Sequence, residues 1–224
     1  LILLGLNLMT VSTFGELEFW FALIKILAIV ILIAVGVILV LLHFHSASGY
    51  LATPANLVND GGFFATGTKG FMLSFQMVVF AFVGIEMVGV TAAEAENPKV
   101  VIPKAINGIP VRIMLFYIGA LAVIMCIYPW SKLSPSNSPF VLVFRDIGLP
   151  GAASIVNFVV ITAAASACNS SLYTTGRMLA ELTSTAHRPV IRKISRLSKR
   201  SVPATAVIIS AVVIGIAAIL NLVM

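Results

Sequence analysis

The chain of 224 residues is 60% hydrophobic and only 10% charged, and its mean hydropathy is +1.10. A water-soluble domain of this length needs far more charge to cover its surface, so the composition excludes a soluble globular protein. The net charge of +6 is concentrated in a few loops, which indicates membrane topology rather than nucleic-acid binding.

Long apolar runs follow one another along the chain, and a helix needs about 20 such residues to cross a bilayer. The runs are continuous, unlike the alternating pattern of a barrel strand. We therefore predict an all-α, polytopic membrane helix bundle. Its predicted spans are residues 16–42, 70–92, 112–130, 147–180 and 202–224, after the end of an earlier helix at 1–12. Because the chain starts without methionine and stops inside an apolar run, we interpret it as an internal fragment of a longer protein.

Basic residues predict which side of the membrane each loop occupies. Loops 93–111 and 181–201 carry most of the lysines and arginines, whereas loops 43–69 and 131–139 carry few. The positive-inside rule places the first pair in the cytoplasm and the second pair outside the cell, for a multi-pass protein of the cytoplasmic membrane. We interpret the basic cluster at 188–200 as a topology signal with some lipid contact, rather than as an RNA or partner site.

Lys25 is the only charge in residues 19–42. A charge inside a span costs about 2.5–3.5 kcal/mol on insertion scales, and such residues often serve function. Removal from water favours the neutral amine, so a buried lysine can take up and release a proton. The alternative is that the side chain snorkels to the interface.

Glu86 is the only charge in residues 71–90, and Gly84 and Gly89 flank it. Glycine weakens a helix by about 1 kcal/mol relative to alanine. Transporters bind the charged ends of substrates at helix breaks near mid-membrane. The pattern is equally compatible with an ordinary helix in which packing glycines surround a paired glutamate. With a helix break at this position, we predict a substrate site formed by Phe80, Ala81, Phe82, Val83 and Gly84.

The span 147–180 carries polar residues at helical spacing, namely Thr162, Ser166, Asn169 and Tyr173. This stripe is typical of interhelical hydrogen bonding, and it is also compatible with one wall of a polar pathway. No acid–base or metal-ligand spacing occurs, so the sequence predicts no enzyme, no cofactor and no metal site.

Short motifs occur along most of the chain, at residues 14–25, 82–86, 91–94, 97–98, 102–105, 169–170 and 177–179. These motifs resemble those of the bacterial amino-acid transporter family, within the amino acid–polyamine–organocation superfamily. Further stretches resemble the D-serine/D-alanine/glycine permeases: residues 43–44, 59–62, 80–86, 105–110 and 152–160. Gly176 departs from the family, which usually has serine before the Arg177-Met178-Leu179 motif.

The resemblance implies a leucine-transporter-type fold with two inverted five-span repeats, of which this chain holds the end of span four and spans five to nine. It implies symport of a proton with small neutral amino acids such as D-alanine, D-serine and glycine. Phe80 would be an aromatic gate, and Lys25, with Glu86 as the second candidate, would couple transport to the proton. The alternatives are a permease for aromatic, basic or other amino acids and, from other classes, a channel or a membrane enzyme.

Overall fold

The computed structural model describes residues 2–9, 11–62, 64–85, 87–90, 97–134, 138–148, 151–198 and 202–223. Its helices are α1 (Ile2–Asn7), α2 (Val11–Leu41), α3 (Asn56–Asn59), α4 (Gly67–Ala81), α5 (Met87–Val90), α6 (Pro98–Arg112), α7 (Gly119–Ile127), α8 (Pro139–Asp146), α9 (Ala152–Ser184), α10 (Pro189–Arg192) and α11 (Ala204–Val223). A π-helix, Ile113–Ile118, joins α6 to α7. Residues 1–24 and 161–224 form one compact unit, called unit 1, and residues 25–160 form unit 2.

Unit 2 has an apolar core that α2, α7 and α8 build together. Leu32 of α2, Ile127 of α7 and Val143 of α8 are almost completely buried in it. A buried leucine, isoleucine or valine side chain contributes about 1.5–3 kcal/mol relative to an exposed one. These contacts fix the end of α7 at which the predicted external loops meet.

One of those loops, 43–69, is attached to the C-terminal end of α7 and to Trp130 by hydrogen bonds. The amide of Thr53 and the side-chain nitrogen of Asn56 both donate to the carbonyl of Cys126, each at 2.8 Å. The indole N–H of Trp130 donates to the carbonyl of Asp60 at 3.1 Å. Carbonyls in the last turn of a helix have no partner within the helix, and the loop 43–69 supplies one here.

Unit 1 has a smaller apolar cluster formed by Leu172 of α9 with Val202 and Val207, which come before and inside α11. Gly176 of α9 lies directly against Val207 of α11. A Cβ atom at this position would lie 2.7 Å from Cγ2 of Val207 and 3.2 Å from its Cα. A side chain at 176 would therefore require Val207 or the two helices to shift.

The helix that contains the predicted span 112–130 begins much earlier, at Pro98, so the predicted loop 93–111 is helical from that residue on. Pro98 occupies the first turn, where its missing N–H has no intrahelical role. Pro103 and Pro110 each remove one hydrogen bond, yet the helix continues through both.

The predicted span 147–180 is observed as α9, which begins at Ala152 and ends at Ser184. The preceding residues form α8, a short helix that the apolar pattern did not reveal. Its C-terminal turn closes with bonds from the amide of Ile147 to the carbonyl of Val143 and from Gly148 to Arg145. Ile147 therefore ends one helix instead of starting the next. At the N-terminus, α2 begins at Val11, five residues before the predicted start at 16.

Three helical segments among the described residues are long and apolar enough to cross a membrane, namely Ser12–Leu41, Pro98–Ile127 and Ala152–Ser184. The predicted all-α class is confirmed. The predicted span 70–92 corresponds to α4 and α5, and 202–224 corresponds to α11, whose apolar stretch Ala204–Ala217 is shorter. These two remain predictions as membrane spans.

Candidate functional site

The first candidate region lies in unit 2, where the helix of the predicted span 70–92 is interrupted. Helix α4 ends at Ala81, residues 82–85 form a turn, and α5 begins at Met87. Gly84 has φ +106°, a backbone conformation that residues with a Cβ atom rarely adopt. The turn starts later than predicted, since Phe80 and Ala81 are still helical.

The backbone hydrogen bonds of this turn join residues three apart in the sequence, whereas those of an α-helix join residues four apart. The amides of Phe82, Val83 and Ile85 donate to carbonyls three residues earlier, at 3.2, 3.2 and 3.5 Å. A carbonyl oxygen has two lone pairs, so those that accept one such bond can still accept a second from an ammonium group. The carbonyls of this segment therefore keep the capacity to accept a further hydrogen bond from a cationic group. Glu86 lies outside the described residues.

Tyr117 supports the turn, although it was not among the site residues predicted from the sequence. Its hydroxyl donates to the carbonyl of Ala81 at 3.1 Å, and its ring stacks on Phe82 with centroids 5.5 Å apart and planes 12° apart. The residue belongs to the π-helix Ile113–Ile118, a helix type that occurs often at functional sites. The available signal was a tyrosine hydroxyl within an apolar run, which needs a hydrogen-bond partner.

A second candidate region lies in unit 1, where three buried polar side chains meet a partly buried carboxylate. Asn7, Glu18, Ser166 and Asn169 form this group, called the Asn169 cluster. The Asn7 side-chain nitrogen donates to Oδ1 of Asn169 at 2.7 Å. The Ser166 hydroxyl donates to a Glu18 carboxylate oxygen, and Asn169 makes a long contact of 3.5 Å to the other oxygen. Ser166 and Asn169 are 0% exposed and Glu18 is partly buried, so the bonds to Glu18 are only partly shielded from water.

Glu18 was not among the predicted site residues, although Ser166 and Asn169 were. It lies near the start of the predicted span 16–42, immediately before the apolar run that begins at Phe19. A carboxylate in that position commonly faces the interface. Only the contact with α9 shows that the side chain turns toward buried polar groups.

Tyr173, the last residue of the predicted stripe, is enclosed between an aromatic ring and a cation in unit 1. Its ring stacks on Phe14 with centroids 4.0 Å apart, and the Arg177 guanidinium carbon lies 3.5 Å from the ring centroid. Such a cation–π contact contributes about 0.5–2 kcal/mol. Thr162, one turn before Ser166, is partly buried.

Lys25 lies in α2, within the membrane-length segment Ser12–Leu41, and its side chain is partly buried. It belongs to unit 2, as does the interrupted helix, whereas the Asn169 cluster and Tyr173 belong to unit 1. The structure thus brings Ser166 and Asn169 together with Glu18, and the residues of the turn together with Tyr117.

The model of the amino acid permease family matches residues 1–224. An amino-acid permease of Bacillus subtilis (strain 168) is 57% identical over 224 residues, which are 100% of this chain and 48% of that protein. The D-serine/D-alanine/glycine transporter of Escherichia coli (strain K12) is 55% identical over 203 residues, which are 91% of this chain and 43% of that protein.

A DL-alanine permease of Lactococcus lactis subsp. cremoris (strain MG1363) is 44% identical over 209 residues, 93% of this chain and 45% of that protein. The chain thus spans about half the length of the curated relatives that it matches. No solved structure matches it.

These matches confirm the family resemblance that the motifs indicated and the prediction of a polytopic helical membrane protein. The family model covers every residue of the chain, and three membrane-length apolar helices agree with a multi-pass protein. The chain therefore belongs to the amino acid permease family.

Proposed function

We propose that this chain forms part of a secondary transporter that imports small neutral amino acids together with a proton. The observation that carries the proposal is the helix interruption at residues 82–85, with Gly84 at positive φ and the Tyr117 hydroxyl on the carbonyl of Ala81. An interruption of this kind offers backbone carbonyls to a substrate ammonium. The names of two relatives, which specify D-serine, D-alanine and glycine or DL-alanine, support small substrates.

Within this proposal the substrate site is formed by the end of α4 and the turn that follows it, from Phe80 to Gly84, with Phe80 as its aromatic gate. Lys25 carries the coupled proton, and Glu86 is the second candidate for that role. Thr162, Ser166, Asn169 and Tyr173 line a polar face of α9. Loops 93–111 and 181–201 are cytoplasmic, and loops 43–69 and 131–139 are external.

Uptake into energised membrane vesicles that contain the protein tests the function. Labelled glycine, D-alanine and D-serine should accumulate above the external concentration. An uncoupler should lower the internal concentration of each substrate to the external one. Labelled phenylalanine and lysine serve as comparison substrates. Accumulation of phenylalanine or lysine instead would favour the alternative substrate classes. Uptake that only equilibrates and ignores the uncoupler would indicate a channel.

Replacement of Gly84 by alanine tests the site itself. A Cβ atom at φ +106° introduces strain of about 1–3 kcal/mol, which the turn can relieve only by changing shape. We expect the initial rate of glycine uptake to fall roughly 10-fold. Gly89→Ala is the matched control, because Gly89 lies in α5 without positive φ and has open space around its Cβ position. Equal uptake by the two variants would show that the turn at Gly84 does not shape the substrate site.

A further inference from the structure

A basic cavity lies in unit 1 beside the C-terminal end of α9. It has a volume of about 460 Å³ and is lined by Ser184, Pro189, Arg192, Lys193, Ser195 and Arg196. Three of these residues are cations and two carry hydroxyl groups, and none of the lining residues is acidic. The lining therefore attracts an anion.

The arrangement of the polar groups shows which of them can bind such an anion. The hydroxyl of Ser184 already donates to a backbone carbonyl of α9 at 2.7 Å, and that of Ser195 donates to the carbonyl of Arg192 at 2.8 Å. Arg192, Lys193 and Arg196 are exposed, and within the residues that the structure describes they form no ion pair. The donors for a ligand are consequently the two guanidinium groups and the ammonium group.

This donor set is suited to a phosphate group. A guanidinium forms paired hydrogen bonds with phosphate oxygens, and a lysine ammonium binds phosphate as a point charge. Two arginines and one lysine around a single cavity can surround a phosphate from several directions. A carboxylate ligand would use fewer of these donors.

The position of the cavity favours a lipid as the source of the phosphate. Ser184 is the last residue of Ala152–Ser184, a segment long and apolar enough to cross a membrane. A helix of 33 residues is about 50 Å long and exceeds the hydrocarbon core of about 30 Å, so its ends reach the lipid headgroups. Val190 and Leu197 of the same basic segment are 74% and 65% exposed, so apolar side chains accompany the cations. Basic clusters next to a membrane helix bind anionic lipids.

We propose that this cavity binds the phosphate headgroup of an anionic phospholipid and thereby attaches the segment 184–196 to the membrane surface. The ligand is a phosphodiester with at least one acyl chain beside Val190 or Leu197. The site is independent of the substrate and of the proton-coupling residues proposed above.

The test measures thermal unfolding of the purified protein in detergent with added phosphatidylglycerol, phosphatidylcholine of the same chain length, or inorganic phosphate. We expect phosphatidylglycerol to raise the Tm saturably, and the other two additives to raise it much less. The triple variant Arg192→Gln/Lys193→Gln/Arg196→Gln should bind phosphatidylglycerol roughly 100-fold more weakly, since each cation near an anionic surface contributes about 5-fold. Lys99→Gln/Lys104→Gln/Arg112→Gln removes the same charge elsewhere and should retain the Tm shift.

A second measurement on the unchanged protein does not depend on whether the variant folds. Because salt screens charges, the Tm difference between phosphatidylglycerol and phosphatidylcholine should shrink as the salt concentration rises. Equal shifts with both lipids, or a shift that salt leaves unchanged, would overturn the proposal. So would an equal response of the two triple variants to phosphatidylglycerol. If inorganic phosphate reproduces the full effect, the cavity binds a soluble phosphate compound and the lipid assignment is wrong.

Discussion

The Lys25→Ala variant should no longer accumulate substrate against a gradient. Lys25 lies within an otherwise uncharged apolar segment of α2 and is partly buried, so its charge costs about 2.5–3.5 kcal/mol that a function or a partner must offset. In the proposed cycle, the protonated ammonium acts as a bound cation that holds the outward-facing arrangement. Loss of the proton toward the cytoplasm then allows the inner gate to open.

Steady-state accumulation of labelled glycine in energised vesicles checks this expectation. Without the ammonium no proton is carried, so glycine should reach equal concentrations on both sides. Exchange of internal for external glycine should persist, because the ammonium need not contact the substrate. Lys69→Ala removes an exposed lysine near the start of α4 and should accumulate glycine normally. If Lys25→Ala still concentrates glycine in an uncoupler-sensitive manner, Lys25 is a snorkelling residue and Glu86 becomes the next candidate.

The Glu18→Ala variant should be strongly destabilised and should lose most of its uptake. Ser166 and Asn169 are completely buried, and removal of the carboxylate takes away the acceptor of the Ser166 hydroxyl and the long contact of Asn169. A buried donor without an acceptor costs about 1–3 kcal/mol. The Tm should therefore decrease by several degrees, and the initial rate of uptake should fall roughly 10-fold as the cluster rearranges.

Two further variants separate the causes of that loss. Glu16→Ala removes an exposed carboxylate from the same helix and should leave both the Tm and uptake close to those of the unchanged protein. Glu18→Gln keeps one acceptor oxygen but removes the charge, so it should recover most of the Tm. Recovery of the Tm without recovery of uptake would assign the negative charge itself a role in transport. If Glu18→Ala has the same Tm and uptake as Glu16→Ala, the Asn169 cluster contributes neither to stability nor to transport.

Composition and motif spacing alone determined the class of this protein. Backbone polar groups must be satisfied within each segment when the solvent is hydrocarbon, so long apolar runs can be read directly as helices. Family membership followed from short motifs whose residues are close together in the sequence. The glycines in the span 70–92 also indicated from the sequence alone where a helix is less stable, because glycine disfavours a helix wherever it occurs.

The tertiary structure decided where the helices begin and end and which polar groups meet. Helix α4 ends at Ala81, where its carbonyl accepts a bond from Tyr117, 36 residues away, and no local pattern predicts that partner. Glu18 is joined to Ser166 across 148 residues. Periodicity shows which face of a helix a residue occupies, but it does not show which helix packs against that face. A carboxylate at the edge of an apolar run therefore becomes part of a buried cluster only through the packing of α2 on α9 within unit 1.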